Sequence, residues 1–253
     1  MKLTFLGTGT STGVPQIGCS CEVCTSNDQR DKRLRTSVVV ESKDTRILID
    51  CGPDFREQML RIPFARFDGV LLTHEHYDHV GGLDDLRPFC TFGEVSVYAD
   101  DYCATHLEER IPYCFVSDRY PGVPRIKLRR IAPHESFCVG DIQITPIHVI
   151  HGTLPILGYR LNDLVYITDM KYIEATEQAY LQGVKCAVVN GLRHEPHYSH
   201  QTIEEAVNFI SGIGNNVPGY LIHLGHHAGL HAKSGEFLPQ HIHFAYDGLV
   251  LDI

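Results

Sequence analysis

Residues 71–86 read LLTHEHYDHVGGLDDL. Three histidines and an aspartate, His74, His76, Asp78 and His79, fall within six residues at the end of an apolar run. Side chains at i and i+2 share a face on an extended segment but not on a helix. His74 and His76 can therefore point one way at a strand's end, while Asp78 and His79 follow in a turn and point elsewhere. This is not the H-E-x-x-H of a helical zinc protease, which needs i and i+4 spacing. One loop of the form H-x-H-x-D-H can serve two adjacent metal ions, but it does not complete either site.

Other candidates lie at the ends of later apolar runs. TPIHVIHG offers His148 and His151, VYITDMK offers Asp169, and VPGYLIHLGHH offers His223, His226 and His227. A carboxylate such as Asp169 can bridge two cations held about 3.5–4 Å apart, the spacing of two-metal hydrolysis. Mixed nitrogen and oxygen donors admit Zn²⁺, Mn²⁺ or Fe²⁺. A second cluster stands apart: Cys19, Cys21 and Cys24 form C-x-C-x-x-C in GCSCEVC. Structural zinc takes four ligands in a tetrahedron, so a fourth must come from elsewhere in the chain. The nine cysteines are odd in number, and the opening MKLTFLGTGTSTG does not read as a secretory signal, which argues against a disulfide framework. The remaining six read mostly as small buried hydrophobes.

The chain of 253 residues has 43% hydrophobic and 21% charged residues and a formal net charge of −9. Those values fit a globular, cytoplasmic protein with a sizeable core. No apolar run reaches the roughly 18 residues of a membrane span. The acidic balance disfavours a general nucleic-acid or anionic-membrane surface. KLTFLG, TSVVVES, TRILID, FDGVLL, EVSVYAD, DIQITPIHVIH and VKCAVVN read as strands. GYRLNDLVYITD reads as a hairpin. VGGLDDLRPF reads as a short helix closed by Pro88, SHQTIEEAVNFISGIG as a longer helix, and FAYDGLVLDI as a closing hairpin. Strands outnumber helices, which suits two mixed sheets sandwiched between helices in one domain spanning 1–253.

The order H-x-H-x-D-H followed by His, Asp and His at strand ends resembles the metallo-β-lactamase superfamily. GTGTSTGVP, C-x-C-x-x-C, GLDDLRPF, HGTLPILGYR and IHLGHH together are similar to its PhnP-type phosphodiesterases. The resemblance covers nearly the whole chain and implies an αββα sandwich. It implies that His74, His76 and His151 hold one divalent metal, that Asp78, His79 and His223 hold a second, and that Asp169 bridges them in the catalytic centre. His151 is preferred to His148 because the family's histidine precedes a glycine. The resemblance further implies a separate structural zinc on Cys19, Cys21, Cys24 and His226, with His227 as the alternative fourth ligand, and a supporting role for Asp50 behind a ligand histidine.

His200 lies in H-x-T-x-x-E-A, which resembles the segment that supplies a catalytic histidine in related phosphodiesterases, including tRNase Z. Imidazole titrates near neutral pH and could protonate a leaving oxygen. The alternative is that Ser199 or His200 merely caps the following helix. Arg87 could grip a substrate phosphate with its guanidinium or pair with Asp84 or Asp85. The implied activity is hydrolysis of a small phosphodiester, a cyclic ribose phosphate or nucleotide-like molecule, by hydroxide generated on two metal ions, in a protein expected to form a homodimer. A tRNase Z-like nuclease, a thioesterase or lactonase with the same metals, and a metal-dependent sensor without turnover are the other classes the residues admit.

Overall fold

The computed structural model describes residues 1–115, 122–214 and 216–253. One sheet is built from β1 (Lys2–Gly7), β2 (Ser37–Glu41), β3 (Arg46–Ile49), β4 (Gly69–Leu71), β5 (Val95–Ala99) and β6 (Ile126–Arg130). The other is built from β7 (Phe137–Val139), β8 (Ile142–His151), β9 (Leu154–Leu161), β10 (Leu164–Ile167), β11 (Cys186–Asn190), β12 (Gly219–Ile222) and β13 (Ile242–Phe244). The final strand, β14 (Val250–Asp252), returns to the first sheet beside β1. The spatial orders are β14-β1-β2-β3-β4-β5-β6 and β13-β12-β11-β10-β9-β8-β7.

Period-two alternation sorts the side chains into layers. Val38 and Val40 on β2, with Ile47 and Ile49 on β3, pack between the sheets against Ile144, Leu157, Tyr159 and Tyr166. Their neighbours Val39 and Leu48 face outward. There they meet Phe55 of helix α1 (Phe55–Met59), Leu83 and Leu86 of the 3₁₀ segment Leu83–Phe92, and Leu107 of a later helix. Between these lies α2 (Tyr77–Val80), followed in the chain by α3 (Asp101–Arg110). On the far side, Ile203, Ala206 and Ile210 of α4 (Ile203–Ile213) cover Val165, Ile167 and Val189. The order is helix, sheet, sheet, helix, as in the metallo-β-lactamase fold. Among the described residues no helix is long and apolar enough to cross a membrane.

Three expectations need correction. FAYDGLVLDI is not a hairpin, because β13 pairs with β12 in one sheet and β14 with β1 in the other. Pro88 does not close its helix: the 3₁₀ segment runs through it to Phe92. A 3₁₀ turn uses i→i+3 bonds, so it avoids the clash a proline makes with the i−4 carbonyl of an α-helix. Neither Ser199 nor His200 caps α4. Thr202 does, accepting from Glu205 N while the Glu205 carboxylate accepts from Thr202 N at 2.7 Å.

The two sheets share one pairing plan. Along the spatial order, β14-β1-β2-β3 are joined antiparallel and β3-β4-β5-β6 parallel. Likewise β7-β8-β9-β10 are antiparallel and β10-β11-β12-β13 parallel. The candidate ligands cluster at the ends of strands from both sheets.

Candidate metal centre

The H-x-H-x-D-H loop leaves β4 and folds onto the turn after β3. Cys51 N–H donates to His79 O at 2.7 Å and Gly82 N–H to Cys51 O at 2.8 Å. The approach is so close that a Cβ at Gly52 would sit 2.0 Å from Asp78 O, so only glycine fits there.

Two groups of ligand-capable atoms result. His74, His76 and His151 form one, and Asp78, His79, Asp169 and His223 the other, with the ligand atoms of each group within 4.8 Å of one another. His151 ends β8, Asp169 follows β10, and His223 follows β12 directly. His74 Nε2 and His76 Nδ1 are 3.0 Å apart. Asp169 Oδ2 lies 3.3 Å from His79 Nε2 and 3.2 Å from His223 Nδ1. Asp169 also falls in a set with His151 and His200, so its carboxylate stands between the two groups. Asp50, Asp169 and His223 all have left-handed backbones, with φ of 62°, 57° and 55°. Such non-glycine residues cost on the order of 1–3 kcal/mol each and gather where function fixes them.

The residues fit divalent cations. His79 Nε2 lies 3.2 Å from Asp78 Oδ2, yet it makes no hydrogen bond, and neither does the buried His223 Nε2. Buried polar atoms normally find partners; two buried imidazole nitrogens left without one beside two carboxylates fit a coordination shell. The electrostatics differ between the groups. Burial, reinforced by the neighbouring His79, holds His74 well below the ordinary imidazole pKa, so it offers a neutral lone pair. Burial opposes charging His79, but the carboxylates of Asp78, Asp169 and Asp50 together hold it well above the usual value. The second group is thus rich in negative charge and attracts a cation.

Further contacts orient the ligands. Asp50, expected from the sequence behind a ligand histidine, lies at His79: Nδ1 donates to Asp50 Oδ2 at 2.7 Å. His151 Nδ1 donates to Ser199 O at 3.0 Å. The buried Asn190 accepts from Met170 N at 2.7 Å and donates to Met170 O at 3.0 Å, fixing the chain beside Asp169. Sequence reasoning missed Asn190, although a polar residue ending the apolar run CAVVN was a usable signal. It also missed Thr36, whose hydroxyl is 3.4 Å from His223 Nδ1. His148 stays outside these groups, and its backbone N–H is held by Glu177.

His200 sits at the edge, with Nε2 2.9 Å from Asp169 Oδ1 and Nδ1 3.0 Å from Ser199 Oγ. Arg87 directs Nε and Nη2 to both oxygens of Asp84 at 2.9 and 2.7 Å and Nη1 to Gly122 O at 2.8 Å. The helix-holding pairing is the one observed.

The cysteine cluster is completed by His226. Its Nδ1 lies 3.2, 3.4 and 3.6 Å from the Sγ atoms of Cys19, Cys21 and Cys24. Zn–S and Zn–N bonds of about 2.3 and 2.0–2.1 Å at a tetrahedral angle put S and N about 3.5–3.6 Å apart, so the four atoms fit the edges of a zinc tetrahedron. The Cys24 backbone N–H, and secondarily His226, draw the Cys21 thiol down to about 6, towards the thiolate that binds metal. His227 lies against the His226 ring at 4.1 Å and is not in the group. Of the other six cysteines, five are buried and Cys138 is exposed.

Comparison with known proteins agrees with this geometry. The family model of the beta-lactamase superfamily domain matches residues 45–224. The crystal structure of a diphosphatase from the PhnP family superposes with a TM-score of 0.91 at 36% identity, covering 99% of this chain and 96% of that one. Zn²⁺-bound PqqB from Methylobacterium extorquens shares the fold with a TM-score of 0.79 at 19% identity, over all of both chains. An octanoyltransferase of Porphyromonas gingivalis is 49% identical over 98% of this chain but only 51% of its own length. The chain thus spans about half of that curated relative, and smaller shares of the ribonuclease Z relatives.

Proposed function

We propose, for a chain that belongs to the beta-lactamase superfamily and within it to the PhnP family, that this hydrolase cleaves a small phosphodiester or diphosphate at a two-metal centre. The observation that carries the reading is the convergence of His74, His76 and His151 beside Asp78, His79, Asp169 and His223, with His200 2.9 Å from Asp169. The likeness to a PhnP-family diphosphatase over nearly the full chain supports phosphorus over carbon as the reacting centre.

Divalent cations in such a site supply Lewis acidity and water of lowered pKa. The protein's own residues do the rest. Burial keeps His74 and His151 below the ordinary imidazole pKa. Burial opposes the charge on Asp78 and Asp169, but the neighbouring histidines hold both carboxylates below the usual range, so the two groups would offer divalent cations different fields. Asp50, Thr36, Asn190 and the Ser199 carbonyl fix these groups before substrate arrives, which spares reorganisation during reaction. His200 holds its Nε2 proton against Asp169 Oδ1. A leaving oxygen entering alongside that carboxylate would be the competing acceptor, and the imidazole would protonate it.

A second reading rests on one observation, the 49% identity to a protein named octanoyltransferase. It would make the substrate an acyl ester or thioester. Because the match spans only 51% of that relative, the name can describe its other half. The experiment is hydrolysis of bis(p-nitrophenyl) phosphate, p-nitrophenyl phosphate and an octanoyl thioester by metal-stripped protein refilled with Mn²⁺ or Zn²⁺. Metal-dependent diester cleavage with little monoester turnover is expected. Thioester turnover alone would overturn the phosphodiester reading.

A further inference from the structure

Tyrosine gathers at the mouth of the metal centre. Of the four tyrosines exposed among the described residues, Tyr77, Tyr172 and Tyr198 each lie within three residues of a member of the ligand groups. A lone exposed aromatic side chain needs no explanation, but three around one site do. Tyr198 is the most exposed of them, at 73%, and it is held in place. A Cβ at Gly152, the residue after His151, would stand 2.9 Å from its Cε1 and 3.4 Å from its Cζ, so the ring lies on the Gly152 backbone. The next residue, Ser199, accepts from His151 Nδ1 at 3.0 Å. The one after that is His200, whose ring centroid is 4.7 Å from that of His151. His197 Nδ1 closes the stretch by accepting from Ser199 N at 3.3 Å. The Tyr198 ring is thus backed by the chain on one side and open on the other, two residues from the imidazole that would protonate the leaving oxygen.

We propose that Tyr198 is a specificity-determining residue whose ring packs against a planar group on the leaving half of the substrate. That makes a base-bearing nucleotide the substrate class, rather than a base-free sugar phosphate. The proposal rests on the phosphodiester or diphosphate reading and on the part it gives to His200. A leaving oxygen within reach of His200 brings the group attached to it alongside Tyr198. Tyrosine suits such a wall: it offers a large, rigid, amphipathic surface with little rotamer freedom to lose. Every nucleobase has a π-face, so stacking on the ring needs no particular base. A chain of net charge −9 has little general attraction for a nucleotide, so local contacts must supply the recognition.

Calorimetric titration of the Zn²⁺-loaded protein with adenosine 5′-monophosphate and with ribose 5-phosphate tests this without turnover, because the two probes differ in the base. The parent should bind the nucleotide about tenfold more tightly. Tyr198→Ala should lose that tenfold for adenosine 5′-monophosphate and nothing for ribose 5-phosphate. Tyr198→Phe, which keeps the ring and lacks the hydroxyl, should retain the parent's preference. Equal binding of the two probes by the parent, binding of neither, or an equal loss of both in Tyr198→Ala would overturn the proposal. The hydrolase reading fails by a different result, no cleavage of bis(p-nitrophenyl) phosphate by the same metal-loaded protein, and the probe preference would still decide the role of Tyr198.

Discussion

His200 Nε2 is 2.9 Å from Asp169 Oδ1, and Asp169 Oδ2 is turned towards His79 and His223. One carboxylate thus stands between His200 and the ligand cluster. His200→Ala should lower turnover of alkyl phosphodiesters by about 10²- to 10⁴-fold. Turnover of p-nitrophenyl diesters, whose phenolate leaves without a proton, should fall much less. Metal content by plasma mass spectrometry should not change. Equal losses on both substrates would remove the acid role.

The helix that follows His200 has its own cap, so chemistry and folding are separable there. Thr202→Ala breaks the reciprocal Thr202–Glu205 pair and should cost about 1 kcal/mol of stability. His200→Ala should cost little. Urea unfolding of the two variants compares them directly, and a larger loss for His200→Ala would show that its ring is structural.

Cys21→Ser should release one tightly held zinc equivalent while leaving the His/Asp groups able to bind metal. The released loop is tied to the centre: Leu224, between His223 and His226, donates its N–H to Thr8 O at 3.0 Å and accepts from Thr10 N–H at 3.1 Å. A fall in turnover beyond the lost equivalent is therefore expected. Limited proteolysis around residues 19–24 and a zinc assay would check it.

The histidine loop was legible in the sequence because its spacing is local: H-x-H-x-D-H, HG and C-x-C-x-x-C each report geometry within a few residues. The inward and outward sorting of SVVVE and RILI was legible for the same reason, since alternation is a property of neighbours. What links distant segments was not. Only residues 245–249 separate β13 from β14, yet the two strands join different sheets, and no local rule chooses between a hairpin and a split. β6 reads IKLRR, and its charges suit an edge strand but blur the strand pattern. Thr73 lies beside His74 in LLTHEH, where only the fold reveals that its hydroxyl meets Asp50.

Away from the centre, Asp247 accepts from Leu34 N at 2.7 Å and Thr8 Oγ1 at 2.8 Å. Burial pushes its carboxyl up from 3.8 to about 6. The folded state therefore binds this proton more tightly than the unfolded chain, and stability contributed by the group falls as pH rises towards and through 6. Between pH 4 and pH 8 the stability difference between Asp247→Asn and the parent should shift in favour of the variant by about 1–3 kcal/mol, given ~1.4 kcal/mol per pKa unit. The difference should level off below about pH 4. Urea midpoints at pH 4, 5 and 8 test the sign, and a constant difference across that range would contradict it.

Each candidate ion site draws on both sides of the sandwich. His74 and His76 come from the β1–β6 side and His151 from β8; Asp78 and His79 meet Asp169 and His223; even the cysteines wait for His226. Neither half owns a complete coordination shell. Ion capture is then thermodynamically linked to the mating of the halves, worth about 2.7 kcal/mol at a hundredfold excess of free ion over its dissociation constant. A chain emerging from the ribosome would gain that grip only when its later strands arrive, which makes metal retention a checkpoint on assembly as well as a condition for chemistry.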